Sequence, residues 1–152
     1  CRAIATDMGR ANPIAIVAIL ASLASGPALG ADEIAGAARA FRGDVLIVRG
    51  AKVRLFGIVA PTTDEVCGGG DGGCDPRSKA ALNDLVKGRH VVCTIVAKVG
   101  HGSVQATCTL DGADVAEMIV CAGWARAELG MSDAYIDAEQ DARSRQVGMW
   151  RK

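Results

Sequence analysis

From Ile34 onward the apolar positions come in short runs broken by glycine and by charged residues, a spacing that suits strands. Ala37 to Phe41 predicts a first strand. Val45 to Val48 and Val53 to Ile58 flank Arg49-Gly50-Ala51-Lys52, a hairpin connection with glycine where a positive φ is needed. Pro61 stops the third strand. Thr62 to Asp75 is too rich in glycine for helix or strand and reads as a loop. Pro76 to Val86 then changes period: proline stands in the first turn, Ala80, Ala81, Leu82, Leu85 and Val86 follow at helical spacing, and Gly88 lies beyond the end. Val91 to Ala97 and Ser103 to Leu110 are strands about a Gly100-His101-Gly102 turn. Asp114 is a suitable N-cap for a helix carrying Val115, Met118, Ile119 and Ala122 and ended by Gly123. Trp124 to Ala127 is a brief extended piece. A last helix, Ala134 to Val147, is capped by Ser132 or Asp133, with Tyr135, Ala138 and Ala142 on its apolar stripe. Five short strands with hairpins and an inserted helix predict an α+β fold, a five-stranded OB-type β-barrel with three helices.

The N-terminal pattern is different. Met8-Gly9-Arg10 precedes an apolar run from Ile14 to Leu23, and Pro27-Ala28-Leu29-Gly30 ends it with small residues at cleavage-site positions. The run is shorter than the about 20 residues a bilayer span needs. Residues 1–31 are therefore read as an upstream extension and signal peptide, cut after Gly30 or Ala31, rather than as a first core helix, and residues 32–152 as one domain. A periplasmic or secreted protein, with no membrane association after cleavage, is the expectation.

Cysteine usage fits that compartment. Cys67 and Cys74 end the loop CGGGDGGC and would close it on itself. Folding the second hairpin about Gly100-His101 sets Cys93 opposite Cys108 on neighbouring strands, within bridging distance. Cys1 lies before the signal segment, so Cys121 is left unpaired. A redox role for it is weakly supported, because it lacks a Cys-x-x-Cys partner. The formal net charge of zero argues against a strong electrostatic grip on nucleic acid.

Three stretches carry a resemblance to a known family: GDVLIVRGAKVRLFGIVAP at Gly43 to Pro61, the hairpin CTIVAKVGHGSVQATC, and DVAEMIVCAGWA with the terminal GMW. Together they resemble the staphylococcal-nuclease-like (thermonuclease) family, over roughly Ala37 to Trp150. The resemblance implies a five-stranded OB-type barrel with three helices and calcium-dependent cleavage of DNA and RNA phosphodiester bonds. It also implies site positions. Asp44 stands where the family has a metal-binding Asp, and Arg54 where it has a phosphate-clamping Arg. Ala60 sits where a backbone carbonyl serves the metal.

The departures fall on the chemistry. Arg42 replaces an acidic residue flanking the metal, Val59 the second metal-binding Asp, Thr62 the Glu taken as general base, and Ser103 the second clamping Arg. Asp64 and Glu65 would need a rebuilt backbone to reach Asp44, and His101 reads as a solvated turn-tip residue. The expectation is a catalytically inactive binding or structural module in which Asp44 and Arg54 are remnants of the family site, with no cofactor. The alternative is a nuclease with an altered, weakened calcium site. The ligand of such a module is left open between single-stranded nucleic acid and a protein partner. Arg42-Gly43-Asp44 also spells an integrin-recognition tripeptide, but it coincides with the turn and is read as chance.

Overall fold

The computed structural model describes residues 1, 32–68 and 73–152. The segment read as a signal peptide lies outside the described residues, apart from Cys1. Strands β1 (Glu33–Arg42), β2 (Val45–Val48) and β3 (Ala51–Leu55) form a meander, and β5 (His90–Gly100) and β6 (Ser103–Leu110) form a second hairpin. β5 pairs with β1, and β6 pairs in parallel with β3. That last pairing closes the five strands into a barrel, so none of them leaves a long free edge. Short strands β4 (Ile58–Val59), β7 (Ala113–Asp114) and β8 (Arg126–Ala127) lie outside it. The helices are α1 (Cys74–Val86), α2 (Val115–Cys121) and α3 (Ile136–Ser144), followed by a 3₁₀ turn at Gly148–Trp150.

The barrel interior is small and apolar. Leu46, Val48, Val53, Leu55, Val91, Cys93, Ala106 and Cys108 are fully buried. α1 buries a four-residue stripe, Cys74, Ser78, Leu82 and Val86, the spacing that puts side chains one above another on a helix, and Leu82 and Val86 join the barrel core. The buried hydroxyl of Ser78 donates to Trp124 O at 2.6 Å. Asp114 caps α2, accepting from Ala116 N at 2.7 Å and Glu117 N at 3.3 Å. Its second oxygen accepts from Tyr135 Oη at 2.9 Å. Burial, and then this bond to Asp114, push the Tyr135 phenol well above its ordinary pKa.

Three elements differ from the sequence reading. The run Val53 to Ile58 is not one strand. Gly57, at φ 78°, breaks it, and Ile58–Val59 turns away to pair with β8. A Cβ at Gly57 would lie 2.9 Å from the Tyr135 ring, so the break is also where that ring packs. α3 starts at Ile136 and ends at Ser144, because Gln146 and Gly148 both take positive φ. The hairpin turn pairs Gly100 with Ser103 rather than folding about Gly100-His101. Bulges at Val96 and Val99 each shift the register by one residue, and the two shifts bring Cys93 opposite Cys108.

Cys67 is bonded to Cys74 and Cys93 to Cys108. The expectation of an unpaired Cys121 is overturned: Cys121 is bonded to Cys1. Cys121 sits half-buried at the last turn of α2, open to an approaching chain. A partner 120 residues away leaves no local pattern by which to find it.

Candidate functional site: a neutralised carboxylate at the barrel rim

Asp44 sits in the tight turn between β1 and β2, 2% exposed. Gly43 makes that turn possible, since a Cβ there would overlap the buried Ser78 hydroxyl and press on Ala60 at 3.0 Å. The backbone is pinned as well: Leu55 N donates to Asp44 O at 2.9 Å. β2 and β3 pair Val45 with Arg54, which carries the Arg54 guanidinium over the Asp44 carboxylate.

Two cations face this buried acid. Arg42 Nε lies 3.4 Å from Asp44 Oδ1, and Arg54 Nε lies 3.8 Å from Oδ2. Arg54 also reaches outward, its Nη2 donating to Glu128 Oε2 at 2.8 Å. Glu128 is the residue that sequence reasoning missed. It follows β8, where its backbone N donates to Gly57 O at 2.9 Å and extends the β4–β8 pairing. The only hint in the sequence is an acid just beyond Ala-Gly-Trp-Ala, and the break at Gly57 that brings it to Arg54 is not legible there.

The other expected positions are scattered. Val59 pairs in register with Arg126. Thr62 is exposed, and its N and Oγ1 donate to Glu65 Oε1 at 3.0 and 3.2 Å. Glu65 turns to Arg126, which grips both its oxygens. That bond, with the Thr62 backbone N–H, lowers the Glu65 pKa to about 2. Both partners are engaged, so the Glu65 carboxylate is held against Arg126 and not against Asp44. Arg126 also lies over the Trp150 ring at 5.6 Å, with Arg143 over the same ring at 4.1 Å. His101 is exposed at the tip of the β5–β6 turn. Ser103 joins Arg42 and Arg54 in lining a pocket of about 300 Å³.

A resident calcium ion does not fit these residues. Calcium takes six to eight oxygen ligands, with several carboxylates among them. Asp44 Oδ1 is buried and accepts no hydrogen bond, the state of a potential ligand atom. Two guanidiniums face this carboxylate, and among the described residues no cluster of three acidic, His or Cys side chains could hold a metal.

Residues 52–152 match the family described as "Staphylococcal nuclease homologue". The chain is also 31% identical over 151 residues to "Succinoglycan biosynthesis protein ExoI" of Rhizobium meliloti (strain 1021), covering 95% of this chain and 79% of that protein. The closed five-stranded barrel and the three helices agree with that match. With two thirds of its length inside the match, the chain belongs to the staphylococcal nuclease homologue family.

Proposed function

We propose that this domain does not cleave phosphodiester bonds by its family's calcium mechanism and works instead as an exported binding module. The observation that carries this reading is the double engagement of Arg54, held between Asp44 and Glu128 while Arg42 faces the other oxygen of Asp44. Charges that would bind a cation and clamp a phosphate neutralise one another. Missing parts add to this. A lost general base costs roughly 10²–10⁴ in rate, and a lost charged donor roughly 10²–10³. Thr62 and Ser103 stand in those two places.

Three disulfides are compatible with an oxidising compartment, and no helix among the described residues is long and apolar enough to cross a membrane. The relative is named for succinoglycan biosynthesis. We carry over only the setting: a module acting beside polysaccharide biosynthesis rather than on nucleic acid.

The orphaned Asp44 Oδ1 favours one second reading, a nuclease with an altered calcium site. Incubating the oxidised protein with single-stranded DNA and RNA, with calcium or with chelator, separates the two. No cleavage above background is expected. Chelator-sensitive cleavage that disappears in Asp44→Ala would sink the binding-module reading.

A further inference from the structure

On the outer side of Arg54 the barrel carries a pocket of about 300 Å³, lined by Phe41, Arg42, Val45, Lys52, Arg54, Val99 and Ser103. Its chemistry divides cleanly. Phe41 and Val99 are exposed apolar side chains, at 43% and 56%. Lys52 Nζ sits 4.6 Å from the centroid of the Phe41 ring, and among the described residues it pairs with no carboxylate. Arg42 meets Asp44 through Nε, and neither of its Nη groups donates within the described residues. Arg54 spends Nε and Nη2 on Asp44 and Glu128, which leaves Nη1. A guanidinium has five N–H donors, so both arginines keep unspent ones. Three cations against two carboxylates leave this rim with one positive charge.

We infer that this pocket binds a monocarboxylate carried on a short stem, without a metal ion. The inference rests on the binding-module reading and names its ligand class. The surplus charge matches one anionic group and would be overturned to negative by a phosphate monoester. Lys52 Nζ and the Ser103 hydroxyl grip the carboxylate, with the free arginine N–H groups beside them. Phe41, Val45 and Val99 cover the stem. The volume lies at the lower end for ligand pockets, which suits an acyl group or one sugar acid. Nucleic acid is the less favoured occupant. A single strand needs a basic groove and several stacking rings, and here one exposed ring stands beside a single surplus positive charge.

The test is a titration of the oxidised, ¹⁵N-labelled protein followed by amide shifts, with chelator present. Monomethyl succinate represents an acyl half-ester and methyl glucuronide a sugar acid; dimethyl phosphate and an eight-residue oligothymidylate represent phosphodiesters. Saturable shifts confined to residues 41–45, 52–54 and 99–103 are expected with at least one carboxylate, and the tighter of the two identifies the source. Lys52→Ala should weaken binding about tenfold, since a charged hydrogen bond is lost. Val99→Glu should abolish it, because an added acid cancels the surplus charge. Both positions are exposed, so the remaining spectrum reports that the fold is intact. No saturable shift with either carboxylate, equal affinity in Lys52→Ala, or tighter binding of a phosphodiester would each overturn the inference. Cleavage in the nuclease assay would remove the underlying reading as well. Absence of cleavage together with absence of carboxylate binding removes this inference alone.

Discussion

Arg54 and Glu128, 74 residues apart in sequence, meet through a 2.8 Å hydrogen bond that crosses from the barrel to the strand preceding α3. The bond ties Arg54 to a carboxylate that lies outside the three stretches carrying the family resemblance. It also holds the β4–β8 flap to β3, because Glu128 is anchored by its own backbone to Gly57. Both side chains are about a third exposed, so solvent screens the pair. Glu128→Ala is expected to lower stability by about 0.5–1 kcal/mol, roughly 2–5 °C in Tm. Thermal melts of the oxidised protein measure it. A loss several times larger would mean that the bond is shielded from solvent far more than its exposure indicates.

The Glu65–Arg126 pair gives a pH signature. Folding lowers the Glu65 pKa from 4.5 to about 2. The unfolded chain therefore binds the proton more readily, and the pair stabilises the fold most where Glu65 is ionised in both states. That contribution is fully present above about pH 4.5 and is lost as pH falls towards 2. With both side chains near 30% exposed, screening reduces it to about 1–2 kcal/mol. Urea melts of the native protein and Glu65→Gln should differ by this amount at pH 6–7, and the gap should narrow as pH falls and close only below about pH 2. A gap undiminished at pH 2.5 would contradict the assignment.

How much of this could be read from the chain depends on the range of each interaction. The barrel strands, the α1 stripe and the Asp114 cap depend on neighbours a few residues away, so hydrophobic period and capping chemistry expose them. Cys93 and Cys108 are a different case. The pairing follows from a simple fold about the turn, yet the real turn is displaced and two bulges restore the register. The place of Glu128 beside Arg54, and of Glu65 beside Arg126, depends on a two-residue β4–β8 pairing with no periodicity of its own. The fold was therefore legible where it is local. The contact between Asp44 and Arg54 was legible, and the partners that distant loops bring to it were hidden.

Among the glycines of the first signature, Gly43 is the one whose Cβ would meet the closest wall. Its Cβ would overlap Ser78, which is fully buried and already spends its hydroxyl on Trp124 O. Ala60 blocks the other side at 3.0 Å. Relief requires moving α1 or opening the β1–β2 turn. Gly43→Ala is expected to cost about 2–3 kcal/mol, the range for overpacking a close-packed site. Gly50→Ala serves as the control: its Cβ would meet nothing within 4 Å, so only its φ of 84° is strained. About 1–2 kcal/mol is expected there. Denaturant midpoints of the two variants rank them, and Gly43→Ala losing no more than Gly50→Ala would remove the steric account.

The bond between Cys1 and Cys121 makes processing and thiol content inseparable. All six cysteines are paired in the structure, so the full oxidised chain should show no thiol after denaturation. Cleavage after Gly30 or Ala31, if it precedes formation of this bond, would remove Cys1 and strand its partner. Such a protein should titrate one thiol per chain, alkylated at Cys121, while Cys67–Cys74 and Cys93–Cys108 stay oxidised. The alternative fate of the stranded thiol is a bond between two chains, visible as a dimer on a non-reducing gel that Cys121→Ser abolishes. Intact mass and N-terminal sequencing of protein recovered from an exporting host, with alkylation before and after reduction, read both properties on one sample. A processed monomer alkylated at a cysteine other than Cys121 would contradict the pairing described above.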